Sequence, residues 1–148
     1  MDARTAQETP ETAIQAVLDD WLDAFHQGDV ERIMTHYTAD VRSFDAVTAL
    51  QFRGREDYAA HWKACMDFCS GEPVGEFDQV EIECDGDLAF AHMLMRCGMV
   101  GEDGRENSGW MRYTVCMRRD GNAWRIAHEH VSTPFDMNTS AVLFDLTP

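Results

Sequence analysis

Hydrophobic periodicity changes once along this chain, close to residue 70, and that change restricts the folds open to it. From Glu11 onward, Ile14, Val17, Leu18, Trp21, Leu22 and Phe25 recur at three- and four-residue spacing, the pattern of a helix with one buried face. "HQGD" ends it: Gly28 is a C-terminal glycine, and Asp29 can cap a short second helix carrying Val30, Ile33, Met34 and Tyr37. "DVRSFDAV" reads as a strand in which Val41, Ser43, Asp45 and Val47 share a face. "LQFRG" is a short strand leading into a third helix over Arg55–Cys69, whose apolar stripe is Tyr58, Trp62, Cys65, Met66 and Cys69. After "SGEPVG" the period becomes two. "FDQVEIEC", "DLAFAHMLMRCGMV", "ENSGWMRYTVCMRR" and "AWRIAHEHVSTP" are strand-like runs separated by "DGD", "GEDGR" and "DGNA", which are turns of antiparallel hairpins. Helices first and a meander afterwards predict an α+β domain over residues 11–135, with a polar tail at 1–10 and a mildly apolar tail at 136–148.

A chain of 148 residues with 45% hydrophobic side chains can bury a core without staples. The five cysteines are Cys65, Cys69, Cys84, Cys97 and Cys116, an odd number with no CxxC spacing. The first residues lack the basic-then-apolar pattern of a leader, and no apolar run approaches the length of a membrane span. The expectation is a cytoplasmic protein with reduced thiols. A formal charge of −15 opposes nucleic-acid backbones and anionic membrane surfaces as partners. No nucleophile elbow, phosphate loop or dinucleotide fingerprint is present.

Three segments in this order, "AFHQGDVERIMTHYTADVRSFD", "GDLAFA" and "MRRDGNAWRIAHEHVSTPFD", resemble the nuclear transport factor 2-like superfamily over residues 11–135. That group includes ketosteroid isomerase and the SnoaL-like polyketide cyclases. The resemblance implies a cone: three N-terminal helices packed on a strongly curved, largely antiparallel sheet, with an apolar pocket at the open end. It also places the isomerase roles. Asp45 falls at the general base, Trp21 at the phenol donor, and Val115 near the protonated carboxyl. Of the three functional groups only the carboxylate is kept, so the resemblance does not imply steroid isomerisation itself.

The last strand offers possible replacements. Trp124, Ile126, His128 and His130 alternate and so share a face in an unbroken strand. With "DGNA" as the loop, Arg119 pairs with Trp124, Val115 with His128, and Tyr113 with His130, which would gather Tyr113, His128 and His130. A shift of one residue would reverse these faces, and would turn Arg112 into the pocket to favour an anionic ligand. Asp45 is the expected base, Tyr113 a donor, and His128 or His130 a proton carrier. Trp21, Phe25, Trp62 and Val115 are expected to wall the ligand. The competing reading keeps the histidines in a dimer interface on the outer face. Two imidazoles and Asp45 also make a conceivable zinc or iron set, but the resemblance implies neither metal nor cofactor. His61, Cys65 and Cys69 recur every fourth residue on the third helix and read as core side chains. The expected function is cofactor-independent proton transfer (isomerase, cyclase or dehydratase) on a small hydrophobic carbonyl compound, in a homodimer. The alternative is a non-catalytic ligand-binding or dimeric assembly module.

Overall fold

The computed structural model describes residues 8–148, so most of the tail expected over 1–10 lies outside the described residues. Thr9 caps the first helix, its side-chain oxygen accepting the Thr12 N–H at 3.2 Å, and Pro10 opens α1 (Pro10–His26) where a missing N–H costs nothing. Asp29 likewise caps α2 (Val30–Met34) by accepting the Arg32 N–H at 3.1 Å. Tyr37 does not extend that helix; it begins β1 (Tyr37–Phe44), one residue short of Asp45. A two-residue strand β2 (Phe52–Arg53) precedes α3 (Arg55–Phe68). Then come the four strands of the meander: β3 (Glu72–Asp85), β4 (Leu88–Val100), β5 (Glu106–Asp120) and β6 (Ala123–Ser132).

All six strands form one sheet in the order β2-β1-β6-β5-β4-β3. Strand β1 runs parallel to β6 while every other neighbour is antiparallel, so the sheet is mixed. Register breaks in β1, β3 and β6 bend the strands and curl the sheet around the helices. Ile14, Leu18, Trp21 and Phe25 of α1 pack on Met93, Met95, Tyr113, Val115 and Ile126 of its inner face. Burial of each large apolar side chain there contributes about 1.5–3 kcal/mol. Among the described residues no helix is long and apolar enough to cross a membrane.

The turn of the last hairpin is as expected, with Arg119 opposite Trp124, but the rest of its register is not. Met117 pairs with Ile126 and Cys116 with His128, leaving Ala127 as an extra residue. This bulge puts Glu129 opposite Val115 and Val131 opposite Tyr113, where His128 and His130 were expected. The two histidines therefore turn to the outer face. There His128 Nδ1–H donates to the Arg42 carbonyl at 2.6 Å, and both imidazoles meet Phe44 edge-on.

Candidate active site

Between the helices and the inner face lies a cavity of about 370 Å³, within the range of small-molecule sites. Trp21, Phe25, Trp62, Met95, Met111 and Val131 give it apolar walls. Its polar groups come from two clusters. A shallower groove of about 700 Å³ on the opposite side of the sheet holds Arg112, Glu81 and His92, but no buried pair of titratable groups.

The first cluster is Asp45 with His61. Asp45 stands just past the end of β1 and folds back on its own turn, Oδ1 accepting the Ala46 N–H at 2.8 Å. Its Oδ2 lies 2.5 Å from His61 Nε2, so the carboxylate oxygen accepts the imidazole N–H. The Asp45 side chain keeps 20% of its exposure and that of His61 only 5%. The imidazole is clamped flat on Phe52, ring centroids 4.0 Å apart, with Tyr58 stacked beyond at 6.0 Å. A base held by one orienting partner on the wall of an apolar cavity suits proton abstraction. Cys65 Sγ lies 3.6 and 3.8 Å from the two ring nitrogens, nearly equidistant and so not in line with either. Burial also pushes its thiol pKa up, so this is not an activated cysteine.

The second cluster surrounds Glu129, a fully buried carboxylate brought inward by the bulge. Its Oε1 accepts the hydroxyls of Tyr58 and Ser43 (the latter at 3.1 Å), and its Oε2 those of Tyr113 at 2.6 Å and Tyr37 at 2.8 Å. Trp21 Nε1–H in turn donates to Tyr37 Oη at 3.0 Å. Burial raises the Glu129 pKa above the ordinary carboxylate value, against the opposing pull of the three phenols. Burial, and next the Glu129 charge, hold Tyr37, Tyr58 and Tyr113 well above 10. Tyr58, Tyr113 and Glu129 all border the cavity.

Of the residues singled out in the sequence, Asp45, Tyr113, Trp21, Phe25 and Trp62 line this cavity. The others do not. Val115 is sealed in the core, and Arg112 is on the outer face, its Nε donating to Ser132 Oγ at 3.0 Å. His128 and His130 are turned away by the extra residue at 127. Sequence reasoning missed Glu129, and treated His61 and Tyr58 as filler on a helical stripe. The available signal for Glu129 was parity: Trp124 and Ile126 are even-numbered and Val131 is odd, so burying all three requires one extra residue between them.

None of the curated proteins matches this chain. Among solved structures, an NTF2-like protein of unknown function from Pseudomonas putida KT2440 is 42% identical, over 96% of this chain and 100% of that one, with a TM-score of 0.86. A protein with a cystatin-like fold from Caulobacter vibrioides aligns at 22% identity over 82% of this chain and 87% of that one, TM-score 0.70. A candidate dehydratase of the NTF2-like family from Streptomyces avermitilis aligns at 18% identity over 84% and 97%, TM-score 0.71. The last two carry the fold alone. Residues 14–136 match the model of the SnoaL-like domain, and the chain belongs to that family.

Proposed function

We propose that this protein catalyses proton transfer on a small, mostly apolar carbonyl or hydroxy compound, as an isomerase, cyclase or dehydratase. The observation that carries the reading is the Asp45–His61 pair, 2.5 Å apart, on the wall of a 370 Å³ apolar cavity. Asp45 takes a proton from carbon next to a carbonyl, while His61 orients the carboxylate through its N–H. The phenol oxygens of Tyr58 and Tyr113 hold the polar end of the ligand. Both have committed their protons to Glu129, so each offers a lone pair to a ligand hydroxyl. When Glu129 gains a proton, its O–H can donate to one phenol, whose own hydrogen is then released toward a ligand carbonyl. The similarity of fold to the dehydratase candidate is compatible with this chemistry.

The test is solvent deuterium incorporation, followed by proton NMR, across a panel of cyclic and β-dicarbonyl ketones that bind the protein. At least one bound ketone should exchange its α-hydrogens faster with the protein than without it, and Asp45→Asn should abolish the gain. A panel of bound ketones with no exchange, or equal rates in Asp45→Asn, would overturn the catalytic reading. Saturation of Glu129 by four hydroxyls favours a second reading, a binding module whose polar cluster serves only the fold. A homodimer joined through the outer face of the sheet, where Phe90 and His130 are exposed, belongs to either reading.

A further inference from the structure

The chain does not end with the sheet. Past Ser132 it reverses in a tight turn: Asp136 Oδ1 accepts the N–H groups of Asn138 and Thr139 at 2.8 and 3.0 Å, and its backbone carbonyl accepts the Ser140 N–H at 2.8 Å. Ser140 adopts a left-handed φ of 60° to complete it. Phe135 then bridges Val142, and Leu143 N–H donates to the Pro134 carbonyl at 2.8 Å. This small hairpin carries Phe144 back to the cavity, where it is part of the wall.

The seat beneath Phe144 is Gly109. A Cβ at position 109 would lie 2.8 Å from the Phe144 carbonyl oxygen and 3.0 Å from its Cβ and Cδ1, so a side chain there displaces the segment. Opposite Gly109 on β4 is Cys97, another cavity residue, whose thiol is pushed up to about 12 by burial. Phe144 itself remains 53% exposed, and Val142 and Leu146 beside it are similarly half-open. One side of the ring thus faces the cavity while the other meets solvent. What holds it is a local turn and apolar contact, not a place in the sheet ladder.

We propose that residues 134–146 are a strap across the cavity mouth and that Phe144 is its specificity-determining residue, limiting the length of apolar ligand the cavity accepts. The proposal rests on the cavity being a ligand site, but not on any turnover. The strap must lift from Gly109 for a ligand to enter, and it closes over the ligand's apolar end once it is inside.

Two measurements on the full-length chain decide it. In the first, N-ethylmaleimide is added to folded protein and modification at each cysteine is followed by peptide mass spectrometry. Phe144→Ala and Gly109→Ala should each speed alkylation of Cys97 by about 10-fold, the effect of uncovering roughly half an aromatic side chain. Cys116, on the opposite face of β5, should be unchanged. In the second, a series of straight-chain 2-ketones displaces the apolar dye N-phenyl-1-naphthylamine. Phe144→Ala should move the best-bound chain length upward by two or more carbons, about the length the ring occupies. His130→Ala, on the outer face, should reproduce wild type in both measurements; neither reads turnover, which separates failure of the strap from failure of the catalytic reading. Unchanged Cys97 kinetics in Phe144→Ala would overturn the proposal whatever the dye shows. An unchanged ketone preference would overturn the specificity role.

Discussion

Replacing Glu129 tests the buried cluster most directly. Four hydroxyls from β1, α3 and β5 donate to this carboxylate. An unsatisfied buried donor costs about 1–3 kcal/mol, and removing a buried carboxylate returns part of its desolvation penalty. Glu129→Ala should therefore destabilise by about 4 kcal/mol, and Glu129→Gln by about 2, since an amide oxygen still accepts two hydroxyls. For a chain of this size the Tm should fall by about 8–16 °C and about 4–8 °C respectively. Differential scanning calorimetry between about pH 4 and about pH 8 adds a sign. Burial raises the native pKa of Glu129, so between its ordinary value and that raised value the folded state binds more protons than the unfolded. Its contribution to stability is complete below the ordinary value and is lost as pH climbs through the native one. The Tm gap between wild type and Glu129→Gln should accordingly narrow as pH rises. A Glu129→Ala Tm within about 2 °C of wild type would refute the reasoning, because the hydroxyls would then not depend on this carboxylate; a gap that widens with pH would refute the pH argument, because the hydroxyls would then outweigh burial and hold the native pKa down.

Asp45→Asn should keep the fold and cut α-hydrogen exchange by about 10²–10⁴, measured by NMR on any ketone that wild type turns over. His61→Phe preserves the stack on Phe52 and should lower exchange while leaving the Tm within about 4 °C, so a larger loss of stability would show that the imidazole is structural. His128→Ala and His130→Ala, on the outer face, should leave dye affinity in the cavity unchanged, and weakened binding would return them to the site. Light scattering at micromolar concentration should give a dimer, and a monomer would contradict the outer-face interface.

Much of the architecture could be read from periodicity because it is local. The helical stripe of α1, the capping aspartate of α2 and the turn of the last hairpin each depend on residues close in the chain. Asp45 was legible through resemblance, and Trp21, Phe25 and Trp62 as aromatics on helical faces. The Glu129 cluster depends on distant contacts instead. Nothing in "IAHEHV" demands a bulge unless Val131 is required to share the core with Trp124 and Ile126. An unbroken strand would have buried two imidazoles in place of one carboxylate, which looks the cheaper choice until three phenols from other elements are counted. Tyr37 and Tyr58 looked like apolar filler for the same reason: their hydroxyl partner lies 92 and 71 residues away.

The two polar clusters are mechanically one. Tyr58 and His61 are three residues apart on α3, one turn of helix, and therefore move together. The Tyr58 hydroxyl is tied to Glu129, and its ring stacks on that of His61, which closes on Asp45. Glu129 thus fixes where α3 sits on the sheet, and α3 fixes whether the imidazole reaches the carboxylate at the end of β1. The extra residue at 127 comes before both relations. It selects which side chain of β6 enters the core, and the carboxylate it admits collects hydroxyls from the helix and two strands into one rigid wall. A cavity built this way holds its base by packing rather than by loop closure. The part proposed to move is the C-terminal strap, which reaches the same cavity from outside the sheet ladder.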